Sequence, residues 1–192
     1  MRNIFCFFLA AFFFASCNSK KEKQTKKKVE NNEYTISKDG IGDLKIGMTE
    51  PEVENLLNQQ LDFNAMKDSA GYWSDTIKTK YKDIDVSIYF ERQYSDDDNG
   101  IMQISGVETT SSLCKTSSGA GIGDEKMDIL TGYNENPINM GPDWEIVNDT
   151  TWVMSKTKYS IYVKDDKWDK ELIFRLTNKK VTSLQASIIM GD

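Results

Sequence analysis

Apolar residues follow two rhythms along this chain, one helical and one alternating. Val53, Leu56, Leu57 and Leu61 recur at helical spacing and share one face, as an amphipathic helix lying on a sheet requires. The start of that helix is legible in Ile46-Gly47-Met48-Thr49-Glu50-Pro51-Glu52. Thr49 and Glu52 form a capping box, in which each side chain satisfies an orphan backbone N–H. Pro51 in the first turn sacrifices no hydrogen bond, because that N–H has no partner inside the helix. Met48 and Val53 are spaced for a hydrophobic staple. The period then changes to two. Ile84, Val86, Ile88 and Phe90 point one way, and Asp83, Asp85, Ser87, Tyr89 and Glu91 the other, which predicts a half-buried antiparallel strand. Asp96-Asp97-Asp98-Asn99-Gly100 turns the chain, and Ile101 to Val107 reads as the return strand.

A second round keeps the same order. Ile122-Gly123-Asp124-Glu125 repeats the turn-then-helix pattern of Ile46-Gly47-Met48-Thr49, with Asp124 as the expected cap and Gly132 as the stop. Gly119-Ala120-Gly121 ahead of it supplies a turn. Tyr159, Ile161 and Val163 then share a face, followed by Leu172, Phe174 and Leu176, and Asn178-Lys179-Lys180 turns into Val181 to Met190. The expected fold is α+β, with two short helices packed on antiparallel sheet. Helix followed by strands, twice over, predicts a tandem duplicated unit across residues 36–112 and 113–192 within a globular domain of 33–192.

The N-terminus obeys neither rhythm. After Arg2 the chain is apolar without a break from Ile4 to Ala15, which fits the hydrophobic region of a secretory signal and is short of the about 20 residues a membrane span needs. Phe14-Ala15-Ser16-Cys17 resembles the lipobox of bacterial lipoproteins. The resemblance implies a signal peptide of residues 1–16, cleavage before Cys17 and acyl chains on its thiol; an ordinary cleaved signal or an uncleaved anchor are the alternatives. Residues 17–32 carry lysines and few apolar side chains, and are expected to form a basic, disordered tether, either solvated or resting on anionic lipid.

A second resemblance lies in the first helix. Ile46-Gly47-Met48-Thr49, with Val53 and Leu56-Leu57 at those offsets, is similar to the opening of the SmpA/OmlA family of small outer-membrane lipoproteins, one of which belongs to the β-barrel assembly machinery. The same I-G-M-T-x(3)-V pattern occurs in proteins similar to the β-lactamase inhibitor protein, which carries two tandem helix-on-sheet units. The likeness covers residues 46–57, with an echo at 122–130, and this chain has Asn58-Gln59-Gln60 where the family usually has Gly-x-Pro. It implies an outer-membrane location and a tandem fold.

Charge and chemistry narrow the function further. Seven of the 24 basic residues and two of the 30 acidic ones precede Glu33, which leaves 17 against 28 and a net charge of −11 for the rest. That balance argues against nucleic acid as a partner. The absence of histidine removes Ser-His-Asp, Cys-His and His-ligated metal sites. Cys6 leaves with the signal and Cys17 takes lipid, so Cys114 has no disulfide partner in the mature chain and is expected to be a small buried apolar residue. Ser112 with Lys115, and Ser155 with Lys158, match S-x-x-K, but the companion S-D-N and K-T-G motifs are missing. Asp96 to Asp98 offer oxygen ligands for calcium without EF-hand spacing, and a solvated turn is the favoured reading. Asp68-Ser69-Ala70, Asp75-Thr76-Ile77 and Asp149-Thr150-Thr151 resemble tripeptides glycosylated in the periplasm of some bacteria.

No catalytic residue, metal or cofactor is therefore expected. Trp73, Trp144, Trp152 and Trp168, together with Tyr72, Tyr133, Tyr159 and Tyr162, serve either core packing or an aromatic contact surface, and Trp73 and Trp168 are the candidate partner contacts. The expected function is a lipid-anchored, non-enzymatic module at the outer membrane that binds another envelope protein or assists assembly. An inhibitor or immunity-type protein is the alternative, and a hydrolase of envelope polymers a weaker one.

Overall fold

Alternation becomes sheet and the helical segments become its cover. The computed structural model describes residues 33–63, 74–93, 101–148, 150–167 and 169–189. Three short strands come first: β1 (Thr35–Ser37), β2 (Gly40–Ile41) and β3 (Leu44–Lys45). Helix α1 (Glu50–Leu57) leads into β4 (Ser74–Tyr81), β5 (Ile84–Gln93) and β6 (Ile101–Thr109). After β7 (Lys115–Thr116), helix α2 (Lys126–Gly132) leads into β8 (Ile138–Asn148), β9 (Thr151–Lys164), β10 (Lys170–Thr177) and β11 (Lys180–Ile188). The fold is α+β and rich in sheet. Among the described residues no helix is long and apolar enough to cross a membrane.

Seven strands form one antiparallel sheet in the order β4-β5-β6-β11-β10-β9-β8. Its two meanders meet where β6 pairs with β11, Gly106 to Thr109 standing opposite Ser187 to Leu184. Directly opposed residues share a face, so register decides the core. Val86, Thr109, Leu184, Phe174, Ile161 and Met140 form one continuous row across the sheet. The alternating residues of β5 point inward as expected, with Ile84, Val86, Ile88 and Phe90 all buried. A second, small sheet runs β3-β2-β1-β7, with β1 and β7 parallel. It contributes Ile36, Ile41 and Leu44 to the same core that receives Val53 from α1 and Ile129 from α2.

Both helices begin as their residues dictate, with two differences of detail. The Thr49 N–H and hydroxyl both donate to Glu52 Oε2, at 2.7 and 2.9 Å. Helix α1 then stops at Leu57 because Asn58 turns left-handed, with φ 49°. Leu61 therefore reaches the core from beyond the helix rather than along its face, its N–H donating to Glu54 Oε1 at 2.7 Å. In α2 the cap is Glu125, whose N–H donates to Asp128 Oδ2 at 3.2 Å. Asp124, the expected cap, is still paired with β11: its carbonyl accepts the Val181 N–H at 2.9 Å, and its carboxylate accepts the Gly121 N–H.

The approaches to the two helices match atom for atom. Gly47 and Gly123 both have φ +88°. The Gly47 N–H donates to the Ile104 carbonyl at 2.8 Å and the Ile104 N–H returns to Met48 at 2.9 Å. At the second helix, the Gly123 N–H donates to the Val181 carbonyl and the Val181 N–H to Asp124, both at 2.9 Å. Thr49 bridges Gln103 and Glu125 bridges Lys180.

Candidate functional site

Two surfaces stand out once the core is assigned. The first is the sheet face turned away from the helices. Register sets Glu108 opposite Gln185 on that face, with Tyr89 of β5 and Arg175 of β10 as their diagonal neighbours. The Tyr89 hydroxyl donates to Glu108 Oε2 at 2.5 Å, and Arg175 Nε lies 3.6 Å from Glu108 Oε1. Arg175 Nη2 donates to Gln185 Oε1 at 2.8 Å. The chain of contacts crosses the join between the two meanders. Partial burial, then the Glu108 carboxylate, pushes the Tyr89 phenol up to about 12, so it stays a neutral donor. On β10, on the same face as Arg175, burial raises the carboxyl of Glu171 above its ordinary value, with Lys164 and Arg175 opposing. Ile173 and Gln185 are nearly inaccessible although they belong to this open face. The platform is packed and its arginine is held in place.

The second surface is a hairpin arm. β10 covers β9 only from Lys158 onward, yet β9 begins at Thr151 and pairs with β8 from there to Met154 and again from Tyr159. Residues 151–157 therefore project with Asp143 to Asn148 of β8 alone, over about 17 Å at ~3.3 Å per residue. At its base Pro142 pairs with Tyr159 and Trp144 with Met154, so Ser155 to Lys158 bulge opposite Asp143. The bulge is fastened by polar contacts. Ser155 Oγ accepts the N–H groups of Thr157 and Lys158 and donates to Glu145 Oε1 at 2.9 Å, where Lys158 Nζ also sits at 3.2 Å. Those contacts, the serine's before the lysine's, hold the Glu145 carboxyl below its ordinary value. The Asn178 N–H ties the arm to the sheet through the Thr157 carbonyl at 2.9 Å. The S-x-x-K match at Ser155 and Lys158 is thus part of a structural clasp.

Beyond the clasp the arm is apolar and exposed. Trp144 opposes Met154 and Ile146 opposes Trp152 on one face, with exposures of 59, 59, 62 and 59%. Val147 and Val153 are also exposed. Trp73 and Trp168, the candidate contacts, lie outside the described residues, as do Cys17 and Asp96 to Asp98. The structure instead brings Trp144 and Trp152 together. Two-residue spacing on either side of Asn148-Asp149-Thr150 carries that signal, since it puts Trp144 with Ile146 and Trp152 with Met154 on one face of a hairpin.

Tyr133 and Cys114 pack with the core. Tyr133 packs its ring 5.5 Å from Phe174. Cys114 is fully buried, and burial pushes its thiol up to about 12. Iodoacetamide at pH 8 should therefore modify it more than about 100-fold more slowly in the folded protein than in denaturant, because the thiolate is the nucleophile. Mass spectrometry over a time course reads this, and equal rates would refute the buried thiol. Among the described residues no group of three His, Cys, Asp or Glu is placed to hold a metal ion. Comparison with family models, with curated proteins and with solved structures finds no match for this chain.

Proposed function

We propose that the chain is a lipid-anchored protein of the bacterial outer membrane, held through Cys17, whose domain docks another envelope protein on its open sheet face without turning over a substrate. The observation that carries this reading is the packed platform of Tyr89, Glu108, Arg175 and Gln185 across the centre of the sheet. Arginine and tyrosine are the residue types that dominate binding hot spots, and holding their rotamers before contact lowers the entropic cost of association. The net charge of −11 from Glu33 onward favours a basic partner by steering its approach.

The same reading takes the domain as a tandem of two helix-plus-strands units, residues 36–112 and 113–192. Support comes from one offset that relates Gly47 to Gly123, Thr49 to Glu125 and Val53 to Ile129, each pair with matching hydrogen bonds or burial. The platform then spans the seam between the units, as a surface built by pairing two units does.

Two measurements in cells test the proposal. Cys17→Ala should move the protein from the membrane pellet to the soluble fraction, and an alanine variant still wholly in the pellet would remove the anchor. A photocrosslinking amino acid at Ser87, which stands opposite Glu108 on the same face, should give a discrete protein adduct, whereas one at the exposed Asn55 of α1 should not. Adducts from Asn55 alone, or from neither position, would overturn the docking face. An adduct with an enzyme whose activity falls on mixing would identify the module as an inhibitor.

A further inference from the structure

The arm poses a physical problem that the docking face does not solve. A two-stranded ribbon is marginal in water unless a third element covers it, and this one exposes Trp144, Ile146, Trp152 and Met154 together. At roughly 60% exposure the four side chains present on the order of 500 Å², near the upper end of what a monomer leaves bare. We propose that the tip of the β8–β9 arm seats these four side chains in the headgroup–acyl boundary of the lipid bilayer, as a second attachment that orients the domain. The inference rests on the reading of Cys17 as the lipid anchor.

Three features favour lipid as the occupant. The first is where the chain outside the described residues joins the domain. Glu33 pairs with Lys82, in the turn between β4 and β5. That turn and the arm lie on the same side of the residue row from Val86 to Met140. Sheet twist of about 20–25° per strand rotates the arm away from β4, but residues 17–32, drawn out, span up to about 50 Å. Cys17 in the membrane and the arm tip on it are therefore compatible. The second is composition. Tryptophan with aliphatic neighbours is the pairing that membrane interfaces favour, since the indole has an apolar body and one N–H donor for the headgroup layer. The unpaired outer edges of the ribbon need water or headgroups, which limits it to that layer. The third is charge. The Debye length is about 8 Å at physiological ionic strength, so acidic groups of the body farther than that from anionic headgroups are screened.

The test uses the full chain, extracted with its lipid and reconstituted into phosphatidylcholine vesicles with and without bromine on the acyl chains. Bromine quenches only tryptophans that enter the bilayer. The conservative pair Trp144→Phe and Trp152→Phe changes exposed positions and serves with the wild type, circular dichroism confirming that both are folded. Bromolipid should quench the wild-type emission, and the fractional quenching should fall by more than half in the double variant. No quenching in either protein, or equal quenching in both, would overturn the proposal. Absent quenching together with a protein adduct from a photocrosslinker at Trp152 in cells would assign the arm to a protein and overturn it likewise. The intact mass separates the two readings. An acylated chain without quenching loses only the arm, whereas a chain without acyl groups loses the anchor and this proposal with it.

Discussion

Replacing Phe174 with alanine should lower the unfolding free energy by about 3–5 kcal/mol, the range for truncating a buried aromatic. Phe174 is fully buried, centred between Leu184 on β11 and Ile161 on β9, with the Tyr133 ring against it. Removing its ring forfeits the transfer of that surface from water and leaves a cavity that two flanking strands cannot close. Domains are stable by roughly 5–15 kcal/mol in all, so the loss is a large share. Trp144→Ala supplies the contrast: at 59% exposure on the arm it should change stability by no more than about 0.5 kcal/mol. Denaturant titration of both variants checks the ordering. Equal losses would mean that the core is not where register places it.

Gly40→Ala should be comparably damaging for a different reason. Gly40 has φ +128°, in a region that is essentially closed to other residues. An added Cβ would run into the backbone carbonyl of Leu44 across the β2–β3 turn. Backbone strain costs about 1–3 kcal/mol, and relieving the collision must displace β2, which pairs with β1 and carries buried Ile41 into the core. We expect a total loss of about 3 kcal/mol or more. Gly132→Ala, where no atom lies in the path of a Cβ and φ is not left-handed, is the control and should be neutral or slightly stabilising. A Gly40→Ala variant as stable as its control would show that the turn has another accessible conformation.

What the sequence made legible were the elements that bury a regular stripe. α1, β5 and β9 to β11 carry their apolar residues on a clean period, and the start of α1 carries its cap as well. β4 escaped because the inward set of Ile77, Thr79 and Tyr81 is interrupted by threonine, with lysines between. β8 was hidden by Gly141 and Pro142, residues that argue against a strand unless it lies at an edge, which is where it lies. The small sheet has strands of two or three residues, too short for any period. The open face was readable only in part: Tyr89 and Glu91 were assigned outward, but the company of Arg175 and Gln185 depends on β6 meeting β11, which no local pattern encodes. The arm was obscured for the opposite reason. Its alternation is as regular as that of a core strand, and nothing in Trp144 to Met154 says that no second layer lies over it.

That meeting of β6 with β11 has a kinetic consequence. The hairpins β4–β5, β8–β9 and β10–β11 join neighbours in the chain, whereas the seam closes a loop from Thr109 to Leu184 and the β1–β7 pair one from Thr35 to Lys115. Loop closure must be paid for before such contacts return anything, and topologies rich in distant pairings fold slowly. The hairpins are therefore expected to form early, with their docking at the seam as the slow step. Before that step each meander offers an unpaired strand edge, β6 on one and β11 on the other, complementary to those of a neighbouring chain. Crowded newly synthesised copies are consequently prone to exchange halves, and dilution during refolding should favour the monomer.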